Sequence, residues 1–351
     1  MHKIAIIVPL YNVQDYIGRC VDSIIDQECD DFKIECLLVN DCTLDNTMGI
    51  INDKVNTYSG SIEFIIVNHE VNKGLSSARN TGISNASGDF VLFVDSDDRL
   101  PSGALKNMVD ALDNSNYASD VDIVIGNTWI CKDAKTIMGV SSNNALLLKN
   151  SGEEALRMFL KKNIYHSAWN KLIRRDLLLK YGLVFESGII MEDLLWSYLV
   201  FLHAREVLVL PQITYYYENN PNSIMNTFEK NVTRVINSFI IVIDRILNNP
   251  PKRSFVDYYM YIFYILIRVV DVFEIHKTEK TVAIYNESIN NIRNICLNQV
   301  LYKQYYFCYL FFLTSRFPYN RILRCWCYRR FFNKIVTFVS FITKITHEIS
   351  K

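Results

Sequence analysis

The protein has 351 residues, half of them hydrophobic, a size and composition that support one large or two ordinary globular domains and exclude extensive disorder. Lysine and arginine together number 37, the same as aspartate and glutamate, so the net charge gives no reason to expect a nucleic-acid partner. The nine cysteines are scattered singly, as is typical of reduced thiols in a cytosolic protein and not of a disulfide framework.

Strand and helix patterns alternate through the first hundred residues. Short apolar runs typical of buried parallel strands lie at 4–10, 36–40, 62–68 and 90–94. Helical periodicity is found between them, at 16–27, 45–58 and 75–86. This order predicts an α/β fold in which a doubly wound, mostly parallel sheet carries helices on both faces. The first run is short and ends at Pro9, so it predicts a strand and not a signal peptide.

The pattern continues less regularly beyond residue 100. Strands are predicted at 122–129 and 206–210, and helices at 153–162, 170–180 and 192–203. The segment NNPPKR at 248–253 breaks this pattern. We therefore predict a first domain over residues 1–225, followed by a helical, aromatic and basic region over 226–351.

The end of the chain is strongly basic, with nine lysines and arginines against Glu348 alone between Val300 and Lys351. After Arg321, apolar side chains recur at helical spacing: Ile335, Phe338, Val339, Ile342 and Ile345. This pattern favours an amphipathic helix on an anionic membrane face, with packing on the first domain or on a second subunit as the alternative. No apolar run reaches the roughly 18 residues that a transmembrane helix needs.

An acidic cluster follows the fourth predicted strand. Asp95, Asp97 and Asp98 come directly after a buried apolar run, where carboxylates repel each other unless a cation is present. Ligands of doubly wound sheets bind beyond the carboxyl ends of the strands, so we expect these acids to lie near residues 40–41 and 68–74. Oxygen ligands on a short loop suit Mg²⁺ or Mn²⁺, although the same residues also favour a solvated turn.

Four segments, in order, resemble the family 2 inverting glycosyltransferases of the GT-A fold: IIVPLYN (6–12), LLVNDCTLDNT (37–47), NKGLSSARNTGISNASGDFVLFVDSDD (72–98) and MEDLLW (191–196). Two more, AWNKLIRRDLL (168–178) and YYYENNPNSIM (215–225), resemble the bacterial polysaccharide-building members. The resemblance implies metal-dependent transfer of a sugar from a nucleotide diphosphate, a UDP-sugar, to a hydroxyl of a glycan or lipid-linked acceptor. Residues 1–100 would form the donor half and 101–225 the acceptor half.

The resemblance also implies roles on the donor side. Asp97 would hold Mn²⁺ or Mg²⁺, with Asp95 as an indirect or second ligand that contacts the ribose and sugar. Asp41 would accept the uracil N3–H, and Pro9 and Tyr11 would lie at the base. Arg79 would pair with the ribose or phosphate end of the donor, unless it is a surface charge of its helix.

On the acceptor side the resemblance assigns the general base to Asp193, since a sugar hydroxyl needs a base within hydrogen-bond reach. Glu192, Asp98, His166 and Trp169 are candidates for the acceptor pocket. The open alternatives are that Glu192 and Asp193 are ordinary acids of a helix N-terminus, and that His166 and Trp169 are buried by packing.

Two residues depart from the family pattern. Asn40 stands where an aspartate is usual, and Cys42 replaces a glycine that would give easy access to positive φ, so we expect a differently shaped loop and a less secure preference for uracil. The other functions left open are a sugar-phosphate nucleotidyltransferase and an inactive binding module. The expected location is the cytoplasm, at the inner face of the membrane; the oligomeric state is not indicated.

Overall fold

A computed structural model of the chain describes residues 1–113, 120–131, 136–138, 144–149, 153–161, 163–218, 220 and 232–252, with a few more up to 265. The chain divides into two compact units, Met1–Phe228 and Glu229–Lys351. No helix among the described residues is long and apolar enough to cross a membrane. The amphipathic helix predicted after Arg321 lies outside the described residues.

The first unit consists of nine described strands and seven described helices. The strands are β1 (Lys3–Leu10), β2 (Lys33–Asn40), β3 (Glu63–Asn68), β4 (Phe90–Phe93), β5 (Val121–Ile130), β6 (Thr136–Met138), β7 (Leu146–Lys149), β8 (Lys171–Arg174) and β9 (Glu206–Tyr217). The helices are α1 (Ile17–Ile25), α2 (Thr47–Thr57), α3 (Leu75–Asn85), α4 (Ala104–Asp113), α5 (Glu154–Leu160), α6 (Arg175–Tyr181) and α7 (Glu192–His203). In the second unit, α8 (Val232–Asn248) buries a stripe of apolar side chains.

All nine strands join one sheet in the order β3-β2-β1-β4-β8-β5-β9-β7, and β6 pairs with β5. Strands β1 to β4 run parallel to one another, and β5 and β9 run in the same direction. Strands β6, β7 and β8 run the opposite way. The predicted mostly parallel α/β sheet is confirmed, and its parallel half places the ends of β1 to β4 along one edge.

Helices cover both faces of the sheet. Along β1, alternate residues from Ile4 to Leu10 join a core with α1, α2 and α4. The residues between them face α3, where Gly82 packs so closely on Ile7 that a Cβ there would overlap the isoleucine side chain. Continuous apolar strands are therefore explained by burial on both sides, as expected of parallel sheets.

The helix predicted over 170–180 is wrong in its first half. Residues Lys171–Arg174 form β8, which inserts antiparallel between β4 and β5, and helix α6 begins only at Arg175. Pairing on both sides of this short strand overrides the local helical pattern. Helix α4 and strands β6 and β7 were not predicted, and β9 continues to Tyr217, beyond its predicted end.

Candidate active site

A buried arginine lies at the edge where the parallel strands end. Arg79, on α3, is 1% exposed; its Nη1 donates hydrogen bonds to Glu192 Oε1 and Asp193 Oδ1, each at 2.8 Å. Its Nη2 donates to Asp95 Oδ1 at 2.9 Å. One guanidinium thus joins the loop after β4 to the first turn of α7. The interpretation of Arg79 as a surface charge is wrong.

The acids around Arg79 outnumber it. Burial raises the pKa of Asp95, and the charge of Arg79 opposes this rise. Burial and the neighbouring Asp193 raise the pKa of Glu192 to about 7. The resemblance implies that a metal ion is the cation of the acidic cluster. In the structure, Arg79 already supplies one positive charge to Asp95. The remaining excess of carboxylate is what a further cation would neutralise.

We expect Glu192→Gln to change how stability depends on pH. The folded-state pKa of Glu192 lies above that of an unfolded glutamate, so the folded protein holds a proton that the unfolded chain has lost between about pH 4.5 and 7. Across that window the wild-type protein should lose stability relative to the Gln variant as pH rises, by roughly 2–3 kcal/mol in total.

Denaturant unfolding of both proteins at a series of pH values measures this difference. Glu70→Gln, at an exposed glutamate, is the matched control and should give a difference that is flat with pH. A flat difference for Glu192→Gln as well would contradict the burial argument.

Strand β9 holds the acidic loop in place. Asp98 is 1% exposed, and its carboxylate accepts hydrogen bonds from the Tyr215 hydroxyl and the Glu218 backbone N–H, both at 2.8 Å. Backbone hydrogen bonds between Arg99 and Tyr216 extend this junction. These contacts fix the loop against β9, so both oxygens of the Asp98 carboxylate already have partners.

Asp97, like Asp95, is half-buried in this loop, whereas Asp98 is buried. Its Oδ2 accepts a hydrogen bond from the Asn220 side chain at 2.8 Å, and its backbone oxygen accepts one from Arg19 at 3.0 Å. Burial and the charge of Asp95 raise the pKa of Asp97. A cation beside the carboxylate would reverse that effect.

A divalent ion fits this loop only if substrate completes its coordination. Within the described part of the chain, no group of three or more His, Cys, Asp or Glu converges as a metal site. Mg²⁺ and Mn²⁺ bind through one or two carboxylates plus substrate phosphates in many nucleotide enzymes. Asp97, with Asp95 next to it, offers this limited set of oxygen ligands. The residues present therefore fit an ion of that kind.

The predicted base-binding residues lie at the ends of β1 and β2. Asp41 is 3% exposed; its carboxylate accepts hydrogen bonds from the backbone N–H of Lys73 and Gly74, both at 2.8 Å, and lies 2.6 Å from His69 Nδ1. Tyr11 is 43% exposed on the loop after β1. Pro9 is buried within β1. Asp41 thus shapes the segment that leads into α3.

The loop after β2 keeps the backbone that a glycine would favour. Cys42 has φ of +59°, in the left-handed region. Loss of the glycine therefore does not prevent positive φ at this position, although a side chain there costs on the order of 1 kcal/mol or more. Asn40 donates to Asn68 at 2.9 Å and accepts from the Thr43 N–H at 2.9 Å, which ties the ends of β2 and β3 together.

The segment before β8 lies against the proposed base. The Ala168 N–H donates to Asp193 Oδ2 at 3.2 Å. Trp169 is 5% exposed and stacks on Tyr215 with 4.5 Å between ring centroids, so the packing alternative holds for this residue. His166 is half-buried, with its ring 4.4 Å from that of the exposed Tyr165.

The sequence patterns missed several residues of this arrangement. Lys171 is buried beside the segment, and Tyr215, Asn220 and Arg19 anchor the acidic loop. The one feature of the sequence that indicates a buried lysine is the position of Asn170 and Lys171 among apolar residues in AWNKLI (168–173). Neither the buried lysine nor the anchors could be separated from ordinary surface residues by spacing alone.

Comparison with known proteins identifies the family. The sequence profile of Glycosyl transferase family 2 matches residues 5–182, about half of the chain. The chain belongs to this family. The family 2 protein is 34% identical over 224 residues to the uncharacterized glycosyltransferase EpsJ of Bacillus subtilis (strain 168). The match covers 63% of this chain and 62% of EpsJ, so it spans less than two thirds of that relative.

Solved structures share the fold of this family 2 protein. S. aureus TarS 1–349, in complex with UDP-GlcNAc, has a TM-score of 0.67 and 20% identity, covering 84% of this chain and 81% of that chain. The mannosyltransferase PcManGT from Pyrobaculum calidifontis, in complex with GDP-Man and Mn²⁺, has a TM-score of 0.50 and 15% identity, covering 86% and 81%. The GT-A fold implied by the resemblance is confirmed.

Proposed function

We propose that this protein is a metal-dependent inverting glycosyltransferase. It moves a sugar from a nucleotide diphosphate donor, a UDP-sugar, to a hydroxyl of a glycan or lipid-linked acceptor during synthesis of a cell-surface polysaccharide. Membership of family 2 supports the class of reaction. The strongest support in the site is the shared guanidinium of Arg79, which holds Asp95 and Asp193 within one hydrogen bond of the same group.

In the proposed reaction Asp193 is the general base. It lies 20% exposed at the start of α7, so its carboxylate is within reach of an acceptor hydroxyl while Arg79 and Ala168 fix its orientation. Removal of the hydroxyl proton as the oxygen attacks the anomeric carbon raises the nucleophilicity of an otherwise poor nucleophile. Attack opposite the departing diphosphate inverts the anomeric centre through an oxocarbenium-like transition state.

The donor diphosphate and sugar belong beside the acidic loop. Asp97, with Asp95 next to it, would hold Mn²⁺ or Mg²⁺, which supplies positive charge to the departing diphosphate when bound. Asp95 keeps the donor side in register with the base because both carboxylates bind Arg79. Tyr11 and Asp41, at the ends of β1 and β2, are the proposed contacts of the donor's nucleobase. The TarS structure, which contains UDP-GlcNAc, supports uracil as that nucleobase.

The test of this function is donor binding and turnover in the presence of Mn²⁺. We expect Asp97→Asn to abolish metal-dependent binding of UDP, because the asparagine keeps a hydrogen-bond acceptor for Asn220 but removes the charge that attracts the cation. Isothermal titration of UDP with and without Mn²⁺ measures this. Asp113→Asn, at an exposed acid of α4, should bind like the wild type.

Two outcomes would contradict the proposal. Unchanged Mn²⁺-dependent UDP binding by Asp97→Asn would remove the ligand assignment. Wild-type protein that binds UDP but neither hydrolyses nor transfers any of a panel of UDP-sugars would favour the inactive binding module. The nucleotidyltransferase alternative receives no support from the family match.

We also propose that the protein works at the inner face of the membrane. The basic residues between Val300 and Lys351 support attraction to an anionic surface. Sedimentation with anionic and neutral vesicles measures this attraction, and equal sedimentation with both would contradict it.

A further inference from the structure

Lys171 is a buried lysine next to the proposed base that the reaction above does not use. It is the first residue of β8, and it is 2% exposed. Its Nζ donates a hydrogen bond to the Ser167 backbone oxygen at 2.5 Å and lies 3.5 Å from the Trp169 oxygen. No carboxylate of the described residues lies within ion-pair distance of Nζ.

A lysine in this position is costly. Burial lowers the pKa of Lys171 to about 7, and the charge of Asp193 opposes part of that effect. An apolar side chain of similar length would avoid the penalty of desolvating an amine. Packing alone therefore does not explain why this position has a hydrogen-bond donor.

The reason lies in a single peptide group. The carbonyl of Ser167 and the N–H of Ala168 belong to one planar unit. Its oxygen accepts from Lys171, and its N–H donates to Asp193 Oδ2 at 3.2 Å. Because the unit is rigid, a donor that holds the oxygen also fixes the direction of the N–H. A donor on the oxygen also polarises the N–H toward the carboxylate.

The two ends of the segment that contains this peptide, His166 and Asn170, are held by other hydrogen bonds. The Ser197 hydroxyl donates to the His166 oxygen at 2.7 Å, which ties the segment to α7. The Asn170 side chain donates to the Gly126 oxygen at 2.9 Å and to Thr128 Oγ1 at 2.8 Å, which ties it to β5. The Ser167–Ala168 peptide lies between these anchors; its oxygen is also 3.4 Å from the Ser197 hydroxyl, and the Lys171 amine, at 2.5 Å, is the nearer donor.

We propose that Lys171 is a positioning residue for glycosyl transfer: through the Ser167–Ala168 peptide it holds Asp193 Oδ2, so that Oδ1 stays on Arg79 and the carboxylate faces the acceptor. This inference rests on the proposed function. Lys171 itself touches no substrate. Its contribution is to the orientation of the base, so its loss should reduce kcat and leave donor binding unchanged.

The experiment compares Lys171→Met, which removes the donor, with Lys171→Arg, which keeps a donor and a charge. We expect Lys171→Met to lower kcat about tenfold, because the carboxylate of Asp193 would no longer be held in the orientation that the reaction needs. The Kd for UDP with Mn²⁺ and the KM for the acceptor should stay within about twofold. Lys171→Arg should recover much of kcat although arginine is larger, and Lys180→Met, at an exposed lysine of α6, should match the wild type.

A purely packing role predicts the reverse order, since methionine fits a buried lysine site better than arginine does. Equal activity of Lys171→Met and the wild type, or lower activity of Lys171→Arg than of Lys171→Met, would overturn the inference. Thermal unfolding of each variant shows whether it is folded.

A second measurement does not depend on turnover. In protein labelled with ¹⁵N-alanine, the Ala168 amide proton, assigned with Ala168→Ser, should move upfield in Lys171→Met and in Asp193→Asn. An unchanged Ala168 resonance in Lys171→Met would overturn the inference even if the wild-type enzyme shows no turnover. Absence of wild-type turnover with the expected resonance shift would count against the proposed function alone.

Discussion

Replacing Asp193 with asparagine should reduce glycosyl transfer by about 10²–10⁴-fold, the range that a general base contributes. Asparagine has nearly the same shape, so the donor side of the site should stay intact and UDP should bind as it does to the wild type. The substitution removes the proton acceptor, and it also places an NH₂ group against either Arg79 or the Ala168 N–H, both of which are donors. Some loss of stability is expected together with the loss of kcat.

The matched control is Asp176→Asn, which changes an exposed acid in the first turn of α6. It tests the alternative that Asp193 only complements the dipole of its helix, because both residues hold the same helical position. Steady-state kinetics and UDP titration of the two variants measure the difference. If Asp193→Asn keeps turnover within a few fold of the wild type, another group is the base.

The parallel half of the sheet could be predicted because its strands are buried on both faces. Continuous apolar runs such as residues 90–94 have no other simple explanation than a covered strand. The antiparallel insertion could not be predicted in the same way. Lys171–Arg174 contains two basic residues, and its neighbours β4 and β5 come from segments about 80 and 50 residues earlier in the chain.

The acidic loop and the proposed base could be recognised by their motifs, but not the group that connects them. Arg79 sits on α3 among Ser76, Ala78 and Gly82, small residues that let the helix approach the sheet and that give its buried face a polar appearance. Arginines on helices are most often solvated, so the sequence alone leaves a surface charge open as an interpretation of Arg79. Burial by close approach leaves no apolar stripe to detect.

The same reasoning explains Asp98. An Asp-Ser-Asp-Asp sequence after a strand is compatible with metal binding and with a turn, and the sequence alone does not assign each acid to one of the two. Asp97 keeps a partly open carboxylate, whereas Asp98 turns inward to Tyr215. The partner of Asp98 comes from β9, some 117 residues later, so its direction depends on tertiary structure.

Removing the charge of Arg79 should destabilise the protein more than any surface substitution. In Arg79→Met the carboxylates of Asp95, Glu192 and Asp193 would share a buried region without their common cation. Breaking a buried ion pair by removing one partner costs roughly 3–5 kcal/mol. We expect a loss of that size in the free energy of unfolding at pH 8. Glycosyl transfer should also be lost, because Asp95 and Asp193 are no longer held in position by the same group.

The pH dependence distinguishes this mechanism from lost packing. Without the guanidinium, the folded-state pKa values of Asp95 and Glu192 rise further above their unfolded values. The folded variant then retains protons that the unfolded chain releases, so its stability falls more steeply than that of the wild type as pH rises above about 4. The difference between the two proteins should therefore shrink on acidification.

Lys106→Met is the matched control, because Lys106 also joins two carboxylates, Asp31 and Asp110, but is 48% exposed at the surface. Its loss should change stability little, because exposed ion pairs are screened by solvent, and should depend little on pH between 5 and 8. Adding Glu192→Gln to Arg79→Met should restore part of the lost stability, since it removes one of the unpaired charges. A pH-independent loss that Glu192→Gln does not relieve would mean that Arg79 acts through its packing on Phe185, 5.2 Å away, and not through its charge.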